Sequence, residues 1–330
     1  MIKMIDLFAG IGGIRIAFEN SGAECVMSSE IDKYACETYF DNFQEMPSGD
    51  ITNIKSKDLP DFDILTGGFP CQPFSLGGLR KGFEDTRGTL FFQIERILRE
   101  RKPQAFFLEN VAGLVSHDKG NTIKVIENSL TQLGYTFEWR IMNACNYGIP
   151  QNRNRWYCIG FLKEYYIEFN DENKAEYDFS KFNFPKKREL EINVSDIVSD
   201  IIDEKYIVTE TAMKNINKFL PEYLESERYN LNKGIILVNE IRPSRCNFRS
   251  DGISPCLTAK MGTGGNNVPV YVKQMCKLTE KQCLRIMSFP PDFKIKGNSS
   301  HSYKQIGNSV VVSLIQELAS EIVRILNNKV

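Results

Sequence analysis

The feature that most constrains the fold is a regular alternation of short apolar segments and amphipathic segments in the first half of the chain. The apolar segments have the length of buried strands, and the segments between them carry apolar residues at helical spacing. Loops rich in Gly and Pro join the two kinds of segment. This order predicts an α/β fold built on a doubly wound, mostly parallel sheet. The predicted strands are residues 4–8, 24–29, 63–65, 104–108, 137–143 and 156–161, and the predicted helices are residues 13–21, 33–43, 90–100 and 122–133.

The alternation ends after about Phe161, where a polar and charged stretch begins. Strand-like pieces return from Gly234 onward together with a glycine-rich run, which indicates a second, smaller domain. The last segment of the chain has a strong helical period, with Asn308 and Ser309 placed as a cap at its start. Because a hydrophobic helix needs a large partner surface, we expect this helix to pack back on the first domain.

A glycine-rich turn, FAGIGG at residues 8–13, lies between the first predicted strand and the first predicted helix. Such a turn lets the backbone approach a nucleotide ligand closely. The third glycine of the dinucleotide fingerprint would fall at Arg15, so a pyrophosphate is the less favoured ligand. Glu30, at the end of the second strand, is placed to accept hydrogen bonds from ribose hydroxyls, and Asp50, at the end of the next candidate strand region, to receive an adenine amino group. A purely structural turn is the alternative for the glycines.

Reactive side chains follow several predicted strands. Cys71 lies in the loop GFPCQPFS, whose prolines fix the backbone around a nucleophile. The strand at 104–108 ends in Glu109, and Arg153 and Arg155 occupy alternate positions leading into the last strand, so we expect them to share one face and point together. The sequence therefore predicts that these groups converge at the carboxyl edge of the sheet. A surface ion-pair network is the alternative.

Composition narrows the classes of function. With two histidines in the whole chain, a Cys/His protease or acyltransferase is a poor interpretation. Nine cysteines without CxxC spacing argue against a disulfide framework and a zinc cluster, so we expect no metal. The sequence shows no secretory leader and no apolar run of membrane-spanning length, so we expect a cytoplasmic protein without membrane partners.

Charge is unevenly distributed, although the net charge is −1. Residues 240–305 contain eleven Lys and Arg against four Asp and Glu, whereas residues 171–230 contain nine bases against fourteen acids. A locally basic face on a nearly neutral protein is compatible with a surface that follows a phosphate backbone. A solvated lysine-rich face is the alternative.

In its motifs the sequence resembles the bacterial and phage DNA cytosine-5 methyltransferases of restriction-modification systems. The matching segments are, in order, DLFAGIGG, SEID, GDI, GFPCQPFS, RGTLFF, ENV, NYGIPQNRNR and QIGNSV. The resemblance is nearly continuous over residues 4–160 and resumes from about Leu278. It implies the S-adenosylmethionine-dependent methyltransferase fold and transfer of a methyl group to C5 of cytosine in double-stranded DNA, with S-adenosylhomocysteine as the product.

The resemblance also implies residue roles. Cys71 would add to C6 of a cytosine flipped out of the duplex, Glu109 would hydrogen-bond at N3, and Arg155 with Arg153 beside it would donate to the O2 edge. The implied cofactor residues are Phe8, Gly10, Ile11, Gly12, Glu30, Ile31, Asp50, Ile51, Pro70, Leu90, Asn308 and Ser309. The candidate DNA contacts are Ser75, Arg87, Arg242, Arg245, Arg249, Thr258, Gly264 and Gly265. The chain departs from the family at Cys256, where threonine is usual, which puts one phosphate contact in doubt.

The predicted domains are a catalytic and cofactor-binding domain at residues 1–185, a target-recognition domain at 186–276, and a hinge with the returning helix at 277–330. We expect a monomer that acts on duplex DNA, with a cognate restriction endonuclease acting separately. A tRNA cytosine-5 methyltransferase shares the same chemistry, although the basic segment speaks against it. A catalytically silent DNA-binding regulator would be expected to lose Cys71 or Glu109, and a nicotinamide oxidoreductase conflicts with Arg15 and lacks a hydride-site histidine.

Overall fold

The computed structural model describes residues 1–70, 90–166, 178–198, 203–229, 234–263 and 267–328. Within these ranges the chain forms two β-sheets, one of six strands and one of four. The larger sheet comes from the first half of the chain, so the predicted α/β class is confirmed. No helix in the described ranges is long and apolar enough to cross a membrane.

The larger sheet has the spatial order β2-β1-β3-β4-β6-β5. Strands β1 to β4 run parallel to one another, whereas β6 is antiparallel to both β4 and β5. As a result, the carboxyl ends of β1, β2, β3 and β4 and the amino end of β6 meet at one edge. The strands are β1 (Ile2–Leu7), β2 (Ala23–Ser29), β3 (Ile64–Gly68), β4 (Ala105–Val111), β5 (Tyr135–Asn143) and β6 (Asn154–Leu162).

Helices connect the strands of this sheet; α1 is buried almost all round, whereas the longer helices bury one apolar face. In α3, for example, Phe91, Ile94 and Leu98 are buried at helical spacing. α2 begins at a side-chain cap, because Asp32 accepts hydrogen bonds from the amides of Tyr34 and Ala35. Since helices cover the sheet, its central strands are almost completely buried and apolar. The helices are α1 (Gly13–Glu19), α2 (Lys33–Phe43), α3 (Phe91–Arg101) and α4 (Asn121–Gln132).

The smaller sheet is antiparallel, in the order β10-β9-β7-β8, and packs against helix α7. Its small core contains Ile216 from the helix and Val238 and Phe248 from the strands, and is separate from the cores around the larger sheet. Val194 and Ile197, in contrast, lie in a core shared with the larger sheet. The elements of this part are α5 (Lys163–Tyr166), α6 (Val194–Ile197), α7 (Glu210–Leu224), β7 (Leu237–Arg242), β8 (Arg245–Arg249), β9 (Val270–Tyr271) and β10 (Cys276–Lys277).

Three helices follow the smaller sheet: α8 (Glu280–Ile286), α9 (Ser299–Asn308) and α10 (Val312–Asn327). α10 packs back on the first domain, as predicted, and Asn20 Nδ2 donates to Gln316 Oε1 across that contact at 3.1 Å. The predicted cap was wrong, because Asn308 is the last residue of α9 and Ser309 is extended. The β-branched residues that follow, Val310 and Val311, favour extended backbone and delay the start of α10.

Candidate active site and cofactor pocket

The carboxyl ends of β3 and β4 lie side by side, at the edge of the sheet where the amino end of the antiparallel strand β6 also lies. Their register pairs Gly68 with Glu109, and a Cβ atom at Gly68 would lie 3.5 Å from Glu109 Oε2. The carboxylate therefore lies beside the end of β3. Cys71 follows that end by three residues and, together with residues 72–89, lies outside the described residues.

Glu109 and Arg155 form a nearly buried ion pair between β4 and β6. Arg155 Nε lies 3.0 Å from Glu109 Oε1, and the two side chains expose 12% and 11% of their surface. Burial raises the pKa of the Glu109 carboxyl, while the charges of Arg155 and Arg153 oppose that rise. A carboxyl with a raised pKa can hold a proton closer to neutral pH, so Glu109 can donate as well as accept a hydrogen bond.

Asn110 fixes the backbone that leads to Cys71. Its Nδ2 donates to the carbonyl of Phe69 at 2.9 Å, and its Oδ1 accepts from the amide of Val111 at 2.8 Å. The side chain is 2% exposed, so these bonds are shielded from water. Sequence reasoning quoted this residue within the ENV motif but gave it no role, although a polar residue following Glu109 at a strand end was a usable signal.

Arg153 and Arg155 form different hydrogen bonds, although the charges of both act on the Glu109 carboxylate. The Arg153 guanidinium donates to the carbonyls of Leu257 at 2.6 Å and Gly307 at 3.3 Å, and also to that of Ser309. Burial and the neighbouring charge of Arg155 lower the pKa of Arg153 to about 10. The described hydrogen bonds of Arg153 therefore join backbone segments.

The hydrogen-bond partners of the two arginines differ because β6 begins between them. β6 starts at Asn154, and the preceding residues form a tight turn in which the Arg153 amide donates to Gln151 O at 3.0 Å and Asn143 Oδ1 at 2.9 Å. Side chains alternate between faces only in regular strand. Positions 153 and 155 are therefore not equivalent.

The glycine turn after β1 and the end of β2 form a single hydrogen-bonded unit. Glu30 Oε2 accepts from the amide of Gly10 at 2.8 Å, and its Oε1 accepts from the amides of Ile31 and Asp32 at 2.8 Å each. These bonds fix the carboxylate and occupy both acceptor directions of Oε1, so the second acceptor direction that remains is on Oε2. Gly10 has φ 55°, and no atom lies within 4 Å of the place its Cβ would occupy, so the backbone here faces open space.

Other implied cofactor residues surround the same edge with different exposure. Ile31 is 73% exposed, which is unusual for a large apolar side chain, whereas Ile11 and Ile51 are buried and offer a ligand only their backbone. The prediction that Asp50 ends a strand was wrong. Asp50 caps the turn Ile51–Asn53, because its side chain accepts from the Thr52 amide at 2.8 Å. Four other implied cofactor residues at this edge are partly or fully exposed, namely Phe8, Pro70, Leu90 and Asn308. Gly12 is buried.

The segment after α9 packs directly on the glycine turn. A Cβ atom at Gly13 would lie 2.8 Å from Val310 Cγ2 and 3.0 Å from Ser309 Oγ. Ser309 is therefore next to the first turn of α1, although the two are far apart in sequence. An exposed apolar side chain, a fixed carboxylate and an open glycine backbone fit a nucleoside with a ribose, such as that of S-adenosylmethionine. Among the described residues no group of three or more His, Cys, Asp or Glu could hold a metal.

The candidate DNA-contacting arginines are already paired. Arg245, on β8, contacts Glu240 at 3.1 Å, with 71% of its side chain exposed, and Arg249 binds both carboxylate oxygens of Asp251. Arg242 donates to Asn267 Oδ1 at 3.2 Å. Thr258 lies against Gly307 of α9. Ser75, Arg87, Gly264 and Gly265 lie outside the described residues.

The sequence matches the family model described as C-5 cytosine-specific DNA methylase over residues 2–324. Type II methyltransferase M.HhaI of Haemophilus parahaemolyticus is 41% identical over 99% of this chain and 96% of its own length. Type II methyltransferase M.Bsp6I of a Bacillus species is 40% identical over 98% of both chains. These matches extend over nearly the whole of each protein.

Solved structures share the fold at lower identity. Spodoptera frugiperda DNMT2, in a triple mutant, has a TM-score of 0.72 and 20% identity, covering 98% of this chain and all of that one. A putative DNA modification methyltransferase from an Escherichia coli prophage has the same TM-score of 0.72 and 22% identity, covering 99% of this chain and 100% of its own. The chain therefore belongs to the C-5 cytosine-specific DNA methylase family, enzymes that transfer a methyl group from S-adenosylmethionine to cytosine in DNA.

Proposed function

We propose that this enzyme methylates one cytosine within a short specific duplex sequence through a transient bond between the Cys71 sulfur and C6 of a flipped-out base. The observation that carries the proposal is the buried pair of Glu109 and Arg155 at the end of β4, beside the strand that leads to Cys71. A carboxyl with a raised pKa and a fixed guanidinium are complementary to the N3 and O2 edge of a pyrimidine.

The first step is addition of the Cys71 thiolate to the base. A sulfur–C6 bond forms, the C5–C6 double bond breaks, and its electron pair is delocalised from C5 towards N3. Glu109 delivers a proton to N3, so no net negative charge remains on the ring. Arg155, held in place by Glu109, donates to O2. C5 then becomes the nucleophilic carbon of an enamine.

S-adenosylmethionine, when bound, supplies an electrophilic methyl group on its sulfonium sulfur. Glu30 would hold the ribose through its hydroxyls, Asp50 would hold the adenine amino group, and Ile31 would cover the adenine ring. After C5 has gained the methyl group, loss of the C5 proton, cleavage of the sulfur–C6 bond and return of the N3 proton to Glu109 restore the aromatic ring and free Cys71 as the thiolate. The remaining proposed contacts are Phe8, Gly10, Ile11, Gly12, Ile51, Pro70, Leu90, Asn308 and Ser309.

The biological role follows from the relatives. Their names place them among Type II methyltransferases, so we assign this enzyme to the protection of DNA from a separate cognate restriction endonuclease. We assign residues 1–185 to the catalytic domain, 186–276 to target recognition and 277–330 to the hinge and returning helix. The enzyme would act as a cytoplasmic monomer without a metal, with Arg242, Arg245, Arg249 and Thr258 on the DNA.

The test begins with bisulfite sequencing of a plasmid from cells that express the enzyme, which identifies the methylated sequence. A duplex carrying 5-fluorocytosine at that position, incubated with enzyme and S-adenosylmethionine, should remain covalently joined to the protein, because fluorine cannot leave as a cation. Cys71→Ser should abolish the adduct, and Cys145→Ser, at a part-exposed thiol, should not. Activity on tRNA but not on duplex DNA would contradict the proposed substrate.

A further inference from the structure

Two segments that are distant in sequence join directly in front of β6. The Ser254 amide donates to Pro150 O at 2.8 Å, and the Asn152 amide donates to Ser254 O at 2.9 Å. Gln151, which is completely buried, accepts from the Leu257 amide at 3.2 Å. The turn that precedes Arg155 is therefore bonded to the start of the 254–263 segment.

The same segment is packed against α9 through two glycines. A Cβ atom at Gly307 would overlap the backbone of Thr258 and Ala259, and one at Gly262 would overlap the Ser300 carbonyl. Backbone lies on backbone at both places, which only glycine permits. The 254–263 segment and α9 are thus in contact at both ends of the helix.

Arg153 is bonded to all three parts at once. It belongs to the turn before β6, and its guanidinium donates to Leu257 O in the 254–263 segment and to Gly307 O and Ser309 O at the end of α9. The residue is 2% exposed. A planar guanidinium can serve several carbonyls in fixed directions, whereas an ammonium group is a single point of charge.

Burial of the Arg153 guanidinium has an energetic cost. A buried guanidinium that binds neutral carbonyls loses its hydration, and among the described residues Arg153 gains no direct carboxylate partner and no hydrogen-bond partner for its Nε. The partners of Arg153 also lie in two different parts of the molecule. Ser309 packs on the glycine turn, and Leu257 precedes Thr258 in the 254–263 segment. A change at Ser309 can therefore reach Leu257 through the Arg153 side chain alone.

We infer that Arg153 is a positioning residue that couples cofactor binding beside Ser309 to the placement of the 254–263 segment on DNA. The inference rests on the proposed function for the identity of the two sites. In this inference Arg155 alone donates to the O2 edge of the base. Arg153 instead joins the two binding surfaces.

The direct test measures hydrogen–deuterium exchange in peptides spanning residues 254–263 and 305–312, with and without S-adenosylhomocysteine. In the wild type the ligand should slow exchange in both peptides, although residues 254–263 include none of the proposed cofactor contacts. In Arg153→Lys the protection of 305–312 should remain and that of 254–263 should be lost. Calorimetry with S-adenosylhomocysteine should show binding weakened by about tenfold, the lower end of the loss expected for one hydrogen bond from a charged group.

The matched control is Arg101, which also donates to backbone carbonyls, those of Ser56 at 2.9 Å, Leu59 at 2.7 Å and Pro60 at 3.1 Å. Arg101→Lys removes the same kind of bonds but should leave the ligand-induced protection of 254–263 as in the wild type. Steady-state methylation of plasmid DNA gives a second readout. Arg153→Lys should raise KM for both substrates with a smaller change in kcat, whereas Arg155→Lys should mainly lower kcat.

Two results would overturn the inference. One is a wild type in which S-adenosylhomocysteine binds but leaves exchange in 254–263 unchanged, which needs no variant and is independent of folding defects. The other is an Arg153→Lys enzyme that keeps the full transmitted protection and loses kcat alone. Failure of the proposed function looks different, because a wild type that does not bind S-adenosylhomocysteine or methylate duplex DNA fails before any variant is compared.

Discussion

Two ion pairs in this enzyme have the same chemistry and opposite surroundings. Glu109 and Arg155 expose 11% and 12% of their side chains at the edge of the larger sheet. Arg245 and Glu240, on the hairpin of the smaller sheet, expose 71% and 48%. The charges of a buried pair interact through a low dielectric, and loss of one partner is strongly destabilising. An exposed pair contributes little to stability and is screened by salt.

The difference in burial separates the ion pair that can take part in the reaction from the ion pair that can bind DNA. Burial raises the pKa of Glu109 while Arg155 opposes the rise, so the pair keeps the carboxyl ready to transfer a proton. The exposed Arg245 can exchange its carboxylate for a DNA phosphate at little energetic cost, because both partners are solvated in either state. Substitutions at the buried pair should therefore change kcat, and those at the exposed pair should change the salt dependence of DNA binding.

The largest effect is expected for Glu109→Gln. The amide keeps the size and can still donate a hydrogen bond, but it cannot deliver a proton to N3, so kcat should fall by about 10²–10⁴-fold. Single-turnover methylation of duplex DNA measures the loss. Glu321→Gln is the control, because Glu321 is also buried and is paired with Arg324 away from the strand ends. A Glu109→Gln enzyme with near wild-type kcat would exclude proton transfer by this residue.

The pH profile gives a second measure of the same carboxyl. Because the reactive form is protonated and burial raises its pKa, the wild-type rate should fall as pH rises through the raised pKa of Glu109. The Glu109→Gln enzyme should lack this decline. A decline that persists unchanged in the variant would assign it to another group.

Arg155→Met should have the next largest effect. Loss of the donor to O2 should lower kcat by about 10–100-fold, the size expected for a hydrogen bond from a charged group. Removing the positive charge also removes an attraction that lowers the pKa of Glu109, so the decline of rate should move to higher pH. Arg155→Lys keeps a positive charge and should shift the pH profile less. An unshifted profile in Arg155→Met would mean that the two groups are not coupled.

Asn110→Ala should lower kcat by about tenfold, because it frees the Phe69 carbonyl that fixes the chain before Cys71. Calorimetry should show unchanged affinity for S-adenosylhomocysteine, since Asn110 is not among its proposed contacts. Asn42→Ala is the matched control: Asn42 also bridges two segments, donating to Lys294 O at 2.8 Å and accepting from the Lys294 amide at 2.9 Å. Equal losses of kcat in both variants would indicate general destabilisation.

The parts of this site that follow regular strands could be predicted from the sequence. Glu109 and Glu30 end strands whose apolar pattern is clear, and parallel strands deliver their carboxyl ends to one edge. Asn110 was missed as an individual residue because its role depends on the distant Phe69 carbonyl, which no local pattern reveals.

The errors arose where the backbone is irregular. The hydrogen bonds of Arg153 to distant carbonyls were missed because alternation was extended into a turn, and Asp50 was assigned to a strand end that is a single 3-10 turn. Asn308 was taken as the start of a helix, although it ends the helix before. In each case tertiary contacts, such as the packing of Val310 and Ser309 on Gly13, decide a boundary that local propensity leaves open.

The smallest effect is expected for Arg245→Gln, which tests the exposed side of the comparison. If Arg245 exchanges Glu240 for a phosphate, the slope of log affinity for plasmid DNA against log salt should decrease in magnitude by about one, with a loss of only a few-fold in affinity at moderate salt. Fluorescence anisotropy across a salt series measures both. Arg188→Gln is the control, since Arg188 is likewise paired, with Glu317 and Glu191, but lies outside the basic segment. An unchanged slope in Arg245→Gln would mean that this arginine keeps its carboxylate when DNA binds, and that exposure alone does not make a paired arginine available to phosphate.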